Sequence, residues 1–153
     1  MDLDLTIAPA EGPDALATVR GLFVAYAQSL GFSLCFQGFD EELATLPGKY
    51  APPGGALLLA GTHGVVGVRP LGDGIAEMKR LYVAPPARGQ GLGQALALAA
   101  IASARGAGHR AIRLDTLNSM KEAVALYRDL GFREIPRYYD NPLEGAHYFE
   151  LAL

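Results

Sequence analysis

A mixed α+β domain is what this sequence predicts, and three observations predict it. Short apolar runs separated by Gly and Pro turns fill the first half. Two Ala- and Leu-rich stretches at helical spacing fill much of the second. A strand-like run, Ala111-Ile112-Arg113-Leu114, lies between those two and makes one strand–helix–strand crossover, which places two parallel strands side by side. At 153 residues the chain has the size of one domain, read here as 1–153.

The elements follow in order. Leu5-Thr6-Ile7-Ala8, closed by Pro9, reads as a first strand. Pro13 opens a helix, where its missing N–H costs nothing. Leu16, Val19, Leu22, Phe23, Tyr26 and Leu30 continue it, and Gly31 stops it. Asp40 is placed to cap a short helix from Glu41 to Leu46. Ala56–Ala60 reads as a buried strand, Gly61–Gly64 as a hairpin loop, and Val65–Val68 as a short return strand. Leu71-Gly72-Asp73-Gly74 is the next turn and Ile75–Val83 the next strand. Gly91 to Arg105 and Ser119 to Leu130 are the two later helices. The second carries a capping-box pattern in Ser119 and Glu122, and Gly131 at its exit. Phe132 is then placed to pack back over the last turn, before strands in Arg133–Pro136 and Ala146–Leu153.

Composition narrows the function. The residues are 50% hydrophobic, enough for a core without metal or disulfide support. A net charge of −3 argues against a nucleic-acid partner, which needs a basic face. The single cysteine, Cys35, predicts a reducing compartment and a buried structural thiol. With no leader-like segment and no apolar run near ~20 residues, the expectation is a cytoplasmic protein without membrane contact. His63, His109 and His147 show no metal-ligand spacing, so no metal is expected.

The most informative segment is Arg88-Gly89-Gln90-Gly91-Leu92-Gly93. A strand ends, Pro85-Pro86 turns the chain, and three glycines open a helix. Free backbone N–H groups and the helix dipole converge there, which suits a phosphate. Glycine lets an anion approach the main chain, and Arg88 adds a cation. A tight turn that merely needs positive φ is the structural alternative. No Gly-Lys-Ser/Thr triplet is present, so this is not a P-loop. Gly89-x-Gly91 with Asp115 further on imitates a dinucleotide fingerprint, but its third glycine position is Gln94.

Arg88-x-x-Gly91-x-Gly93, the preceding strand Glu77 to Val83, and Ala123-x-x-Leu126-Tyr127-x-x-x-Gly131-Phe132 together resemble the GNAT superfamily of N-acetyltransferases. The longer runs Leu114-Asp115-Thr116-Leu117 and Tyr138-Tyr139-Asp140-Asn141-Pro142 are similar to a bacterial subgroup of unassigned substrate. The resemblance implies the GNAT acyl-CoA N-acyltransferase fold, a mixed central sheet with a splayed parallel pair flanked by helices. It implies acetyl-CoA as cosubstrate, with pantetheine on Leu81, Tyr82 and Val83 and the diphosphate on Arg88, Gly89, Gln90, Gly91, Leu92 and Gly93. It also implies Glu77 as base and Tyr127 as acid at the sulfur, and a homodimer is common among relatives. Many relatives carry Asn seven residues before that tyrosine. Here Met120 stands there and Asn118 two residues earlier.

The residues also admit plainer roles. Glu77 on a strand face can simply pair with Lys79 or Arg80, and Tyr127 can simply be core. Strand alternation puts Glu77, Lys79 and Leu81 on one face unless a bulge intervenes. Phe36, Gln37, Phe39, Tyr138, Tyr139, Asp140 and Asn141 are candidates for the acceptor pocket, where aromatic rings beside an acid suit a small cationic molecule. The expected reaction is acetyl transfer to the primary amine of a small molecule by direct attack in a ternary complex. An acyl-CoA-binding sensor without turnover and an acetyltransferase acting on a protein or peptide amine are the alternatives.

Overall fold

The computed structural model of the chain describes residues 3–30, 38–141 and 143–153. Gly31, Cys35, Phe36 and Gln37, and the expectations attached to them, lie outside the described residues, as does Pro142. Seven strands of the described residues form one sheet: β1 (Ile7–Pro9), β2 (Ala56–Ala60), β3 (Gly64–Gly72), β4 (Ile75–Val83), β5 (Ala111–Leu117), β6 (Arg133–Ile135) and β7 (Ala146–Ala152). Their spatial order is β1-β2-β3-β4-β5-β7-β6. Among the described residues four α-helices flank it: α1 (Gly12–Leu30), α2 (Phe39–Ala44), α3 (Leu92–Gly106) and α4 (Lys121–Asp129).

The sheet has two apolar faces, as a central sheet between helix layers requires. On one, α3 and α4 pack Leu92, Leu96, Ala100 and Tyr127 against Val66, Met78 and Leu114. On the other, α1 and α2 pack Val19, Phe23 and Phe39 against Leu57, Leu59 and Val65. No helix among the described residues is long and apolar enough to cross a membrane.

Several expected boundaries shift for local reasons. The strand after Gly61–Gly64 is not short: β3 runs from Gly64 to Gly72 because Asp73 (φ 57°) and Gly74 (φ 75°) close a two-residue turn, with Gly72 facing Ile75. Asp-Gly tolerates two successive left-handed residues, which is what such a hairpin needs. The α2 helix is not capped by Asp40; it starts at Phe39 after left-handed Gly38. The capping box expected at Ser119 does not form, because Met120 is the N-cap of α4 and makes no side-chain cap bond. At the other end, Gly131 has φ 96° and the Phe132 N–H donates to the Tyr127 carbonyl at 3.0 Å. The Phe132 ring packs edge-on to Tyr127 at 5.7 Å.

Two features of β4 shape the site. Its parallel pairing with β5 covers only Ile75↔Ala111, Ala76↔Ile112 and Glu77↔Arg113. Beyond that the strands diverge, leaving main-chain donors and acceptors of β4 without a partner strand on that side. The β3–β4 register then steps from Gly67↔Lys79 to Val65↔Tyr82, so one residue, Val66, opposes two, Arg80 and Leu81. This is a β-bulge, and Arg80 takes the left-handed φ of 62° within it. The consequence corrects simple alternation. Glu77 and Leu81 lie on opposite faces: Leu81 and Val83 join the α3/α4 core, while Tyr82 joins the α1/α2 core.

Candidate active site

The glycine loop presents its main chain to open space at the start of α3. Gly89 (φ 80°) and Gly91 (φ 74°) are left-handed, and a Cβ added at either meets no atom within 4 Å. The glycines therefore satisfy backbone geometry and leave open space in front of the main chain. Gly91 is the N-cap of α3 and has no side chain to cap with, so the first-turn N–H groups face that space. Arg88 braces the loop: its Nε donates to the Val83 carbonyl at 2.9 Å and its guanidinium stacks 5.8 Å from the Tyr82 ring. One lone pair of that carbonyl stays available for a second donor.

In front of the loop lies a cleft of about 680 Å³. Leu81, Tyr82, Val83, Arg88, Gly89, Gly91, Leu92 and Gly93 all line it; of the residues expected to hold the cofactor, Gln90 does not. The cleft also uses residues that were not expected to hold the cofactor: Tyr26 and Ser29 of α1, and Ser119, Lys121 and Glu122 at the start of α4. Asn118 does not join them. Its N–H donates to the Gly145 carbonyl at 2.8 Å. An open cradle of N–H groups, flanking cations and an unpaired strand edge fit the diphosphate and amide groups of coenzyme A.

The cleft continues into the gap between β4 and β5, a slot of about 90 Å³. Tyr26, Leu81, Met120 and Ala123 line both spaces. Tyr127 lines the slot, and burial pushes its hydroxyl pKa well above the usual tyrosine value. Lys79 and Asp115 line it too, with Nζ 3.2 Å from Oδ1. Asp115 also accepts hydrogen bonds from the Tyr139 hydroxyl and, at 3.1 Å, from Asn141 Nδ2. Burial opposes its charge, but the Lys79 ammonium and the Tyr139, Lys79 and Asn141 bonds outweigh that and hold its pKa below the usual carboxylate range.

Glu77 sits elsewhere. It is 1% exposed and is not among the slot-lining residues. Arg69 donates to its Oε1 at 2.8 Å and the Tyr138 hydroxyl to its Oε2 at 2.6 Å. Its partner is thus Arg69 across the β3–β4 pair, while Lys79 pairs with Asp115 and Arg80 with Glu42 at 3.1 Å. The aromatic loop does reach the site, through Tyr138 on Glu77 and Tyr139 and Asn141 on Asp115. Its rings hold the chain's own cations: Lys79 Nζ lies 5.6 Å from the Tyr139 centroid and the Arg113 guanidinium 5.3 Å from that of Tyr138. Asp140 instead pairs with Arg137 in solvent, and Phe39 packs beneath the Arg80 guanidinium at 5.1 Å.

A separate cleft of about 340 Å³ lies between α2 and Arg69, lined by Glu41, Glu42, Lys49 and Tyr50 among others. It has neither the glycine loop nor the unpaired strand edge. Among the described residues no three His, Cys, Asp or Glu side chains are grouped to hold a metal.

The sequence pattern of the family described as "Acetyltransferase (GNAT) family" matches residues 36–132. An uncharacterized N-acetyltransferase of Schizosaccharomyces pombe is 38% identical over 98% of this chain and 96% of its own. The uncharacterized N-acetyltransferase YjgM of Escherichia coli is 38% identical over 63% of this chain and 62% of its own. An acetyltransferase from Streptococcus agalactiae superposes with a TM-score of 0.77 at 21% identity, covering 97% of this chain and 98% of that one. A GNAT-superfamily phosphinothricin acetyltransferase from Sinorhizobium meliloti, solved in complex with AcCoA, superposes with a TM-score of 0.71 at 17% identity, covering 99% and 89%. At such identities these two likenesses speak for the fold alone.

Proposed function

The chain belongs to the GNAT acetyltransferase family, and on that premise we propose that it transfers an acetyl group from acetyl-CoA to the primary amine of a small molecule by direct attack in a ternary complex. The observation that carries this reading is the continuity of the glycine-loop cleft with the slot between β4 and β5, through their four shared residues. Acetyl-CoA supplies an activated thioester when bound; the rest is done by the chain.

The N–H groups from Gly89 to Gly93 and the Arg88 and Lys121 side chains hold the diphosphate end. Main-chain groups of Leu81 and Val83, freed by the splay, bond the pantetheine amides as an added strand would. A main-chain N–H near the bulge serves the thioester oxygen. Tyr127 keeps its proton, since its pKa is raised far above the ~8.5 of a free thiol. It therefore acts as a hydrogen-bond donor on the departing sulfur.

Only about one alkylammonium in 2,500 is neutral at pH 7, so the acceptor has to lose a proton. Glu77 takes that proton at one remove in this reading: the Tyr138 hydroxyl, half-buried and donating to Glu77 Oε2, is the atom an amine on the α1/α2 face meets. The test has two parts. Acetyl-CoA must raise the melting temperature of the chain, and free thiol must appear when amines from a panel are added. Binding with no turnover on any amine would instead assign a sensor.

A further inference from the structure

The parallel pairing of β4 and β5 stops at Glu77↔Arg113. Two residues further along each strand, on the same face, stand Lys79 and Asp115, and it is these side chains that meet where the main chains part. Their ion pair spans the mouth of the splay at its narrow end. It is also a firm structure. Lys79 is 5% exposed and lies over the Tyr139 ring, while Asp115 is held by Lys79, Tyr139 and Asn141 together. Tyr139 is itself braced from β7, where the Tyr148 hydroxyl donates to its carbonyl at 2.9 Å. A surface ion pair swings aside at little cost; one held by three donors in a buried setting does not.

We propose that the Lys79–Asp115 pair is the floor of the acyl slot and sets the length of acyl group this protein accepts. The inference rests on the acetyl-CoA reading above. The slot, at about 90 Å³, is a small extension of the cleft of about 680 Å³ that opens into it. An acetyl group brings only three non-hydrogen atoms into it. A butyryl group brings five, and its two extra carbons meet an ammonium and a carboxylate whose contacts they would have to break. Tyr26, Met78, Arg80, Leu114, Thr116 and Tyr127 are among the other residues of the slot, and the Lys79–Asp115 pair is the contact among its lining side chains that joins β4 to β5.

The experiment is calorimetric titration of the full chain with CoA, acetyl-CoA and butyryl-CoA, which needs no acceptor. Wild type should bind butyryl-CoA at least ~10-fold more weakly than acetyl-CoA, the lower end of what a misfitting methylene costs in a closed pocket. Lys79→Ala should bring that ratio to about threefold or less, by removing the side chain that blocks the end. Lys79→Gln, nearly as long and still able to donate to Asp115, should keep the wild-type ratio. If Lys79→Ala does not fold, Lys79→Ala combined with Asp115→Asn leaves no buried carboxylate unpaired and is held to the same criterion. Equal affinity of wild type for the two thioesters, or an unchanged ratio when the floor is removed, overturns the proposal. Failure of CoA itself to bind would overturn the acetyl-CoA reading instead, so the two failures are distinct.

Discussion

Gly91→Ala separates the two reasons for a glycine at the start of α3. Its φ of 74° is left-handed, and an alanine there costs about 1–2 kcal/mol. The new Cβ touches nothing in the protein, so no packing strain adds to this. For a chain of this length each kcal/mol moves the melting temperature by about 2–4 °C, so the unliganded variant should melt about 2–8 °C lower. The methyl group would, however, stand where the diphosphate needs to be. Losing one charge-assisted hydrogen bond is worth about 1.5–3 kcal/mol, or roughly a 10- to 100-fold rise in Kd. At acetyl-CoA fixed at 100 times the wild-type Kd, wild type gains about 2.7 kcal/mol of stability and the variant only about 0.4–1.4 kcal/mol. Differential scanning fluorimetry with and without ligand measures both quantities. Gly106→Ala, at the far end of α3 with open space and no left-handed φ, is the control and should leave the ligand shift intact. A Gly91→Ala protein that melts lower yet keeps the full wild-type ligand shift would show that the diphosphate is not held on these amides.

Three other outcomes follow from the site. Glu77→Gln should lower turnover by about 10²-fold or more with little change in acetyl-CoA affinity. It should also destabilise the fold by up to about 3 kcal/mol, because Arg69 loses the charge it is paired with; a pH–rate profile identical to wild type would rule out the proton-transfer role. Tyr127→Phe keeps the ring contact with Phe132, so acetyl-CoA affinity and melting should stay close to wild type while turnover drops about tenfold or more. Unchanged turnover would return Tyr127 to a packing role. Asp115 has a folded-state pKa below its reference value of 3.8, so its contribution to stability is complete above that value and is lost as pH falls through the folded value. In urea unfolding, the stability gap between wild type and Asp115→Asn should be constant near pH 6 and shrink toward pH 3; a gap that does not change over that interval counts against the ion pair with Lys79.

Much of this architecture is legible in the sequence where the signal is local. The limits of β2 and β4 match their apolar runs, the Gly131 exit of α4 forms as its residue type suggests, and eight of nine expected cofactor residues line the cleft. What was not legible depends on partners distant in the chain. Ser119 looks like a cap by spacing, but the Asn118 N–H is committed to Gly145 and the Met120 N–H to Leu117, so the helix starts later. Glu77 looks free to pair with Lys79 or Arg80, yet those two cations are taken by Asp115 and Glu42, and Arg69 arrives from β3 instead. No pattern within a dozen residues reports an ion pair between positions 79 and 115. Tyr26 and Ser29 reach the cleft only because α1 crosses the sheet there.

The bulge in β4 makes that strand a device that counts. Pairing the same residues without the bulge, by strict alternation through Arg80, would exchange inside for outside at every later position. Leu81 and Val83 would face α1, Tyr82 would face α3, and the glycine loop would leave the strand rotated by half a turn. Side chains along this stretch can therefore drift as long as two residues continue to oppose Val66. Insertions and deletions belong at the hairpin tips, such as Gly61–His63. The guanidinium of Arg80, clasped by Glu42, keeps a non-glycine residue in the backbone conformation on which that count depends.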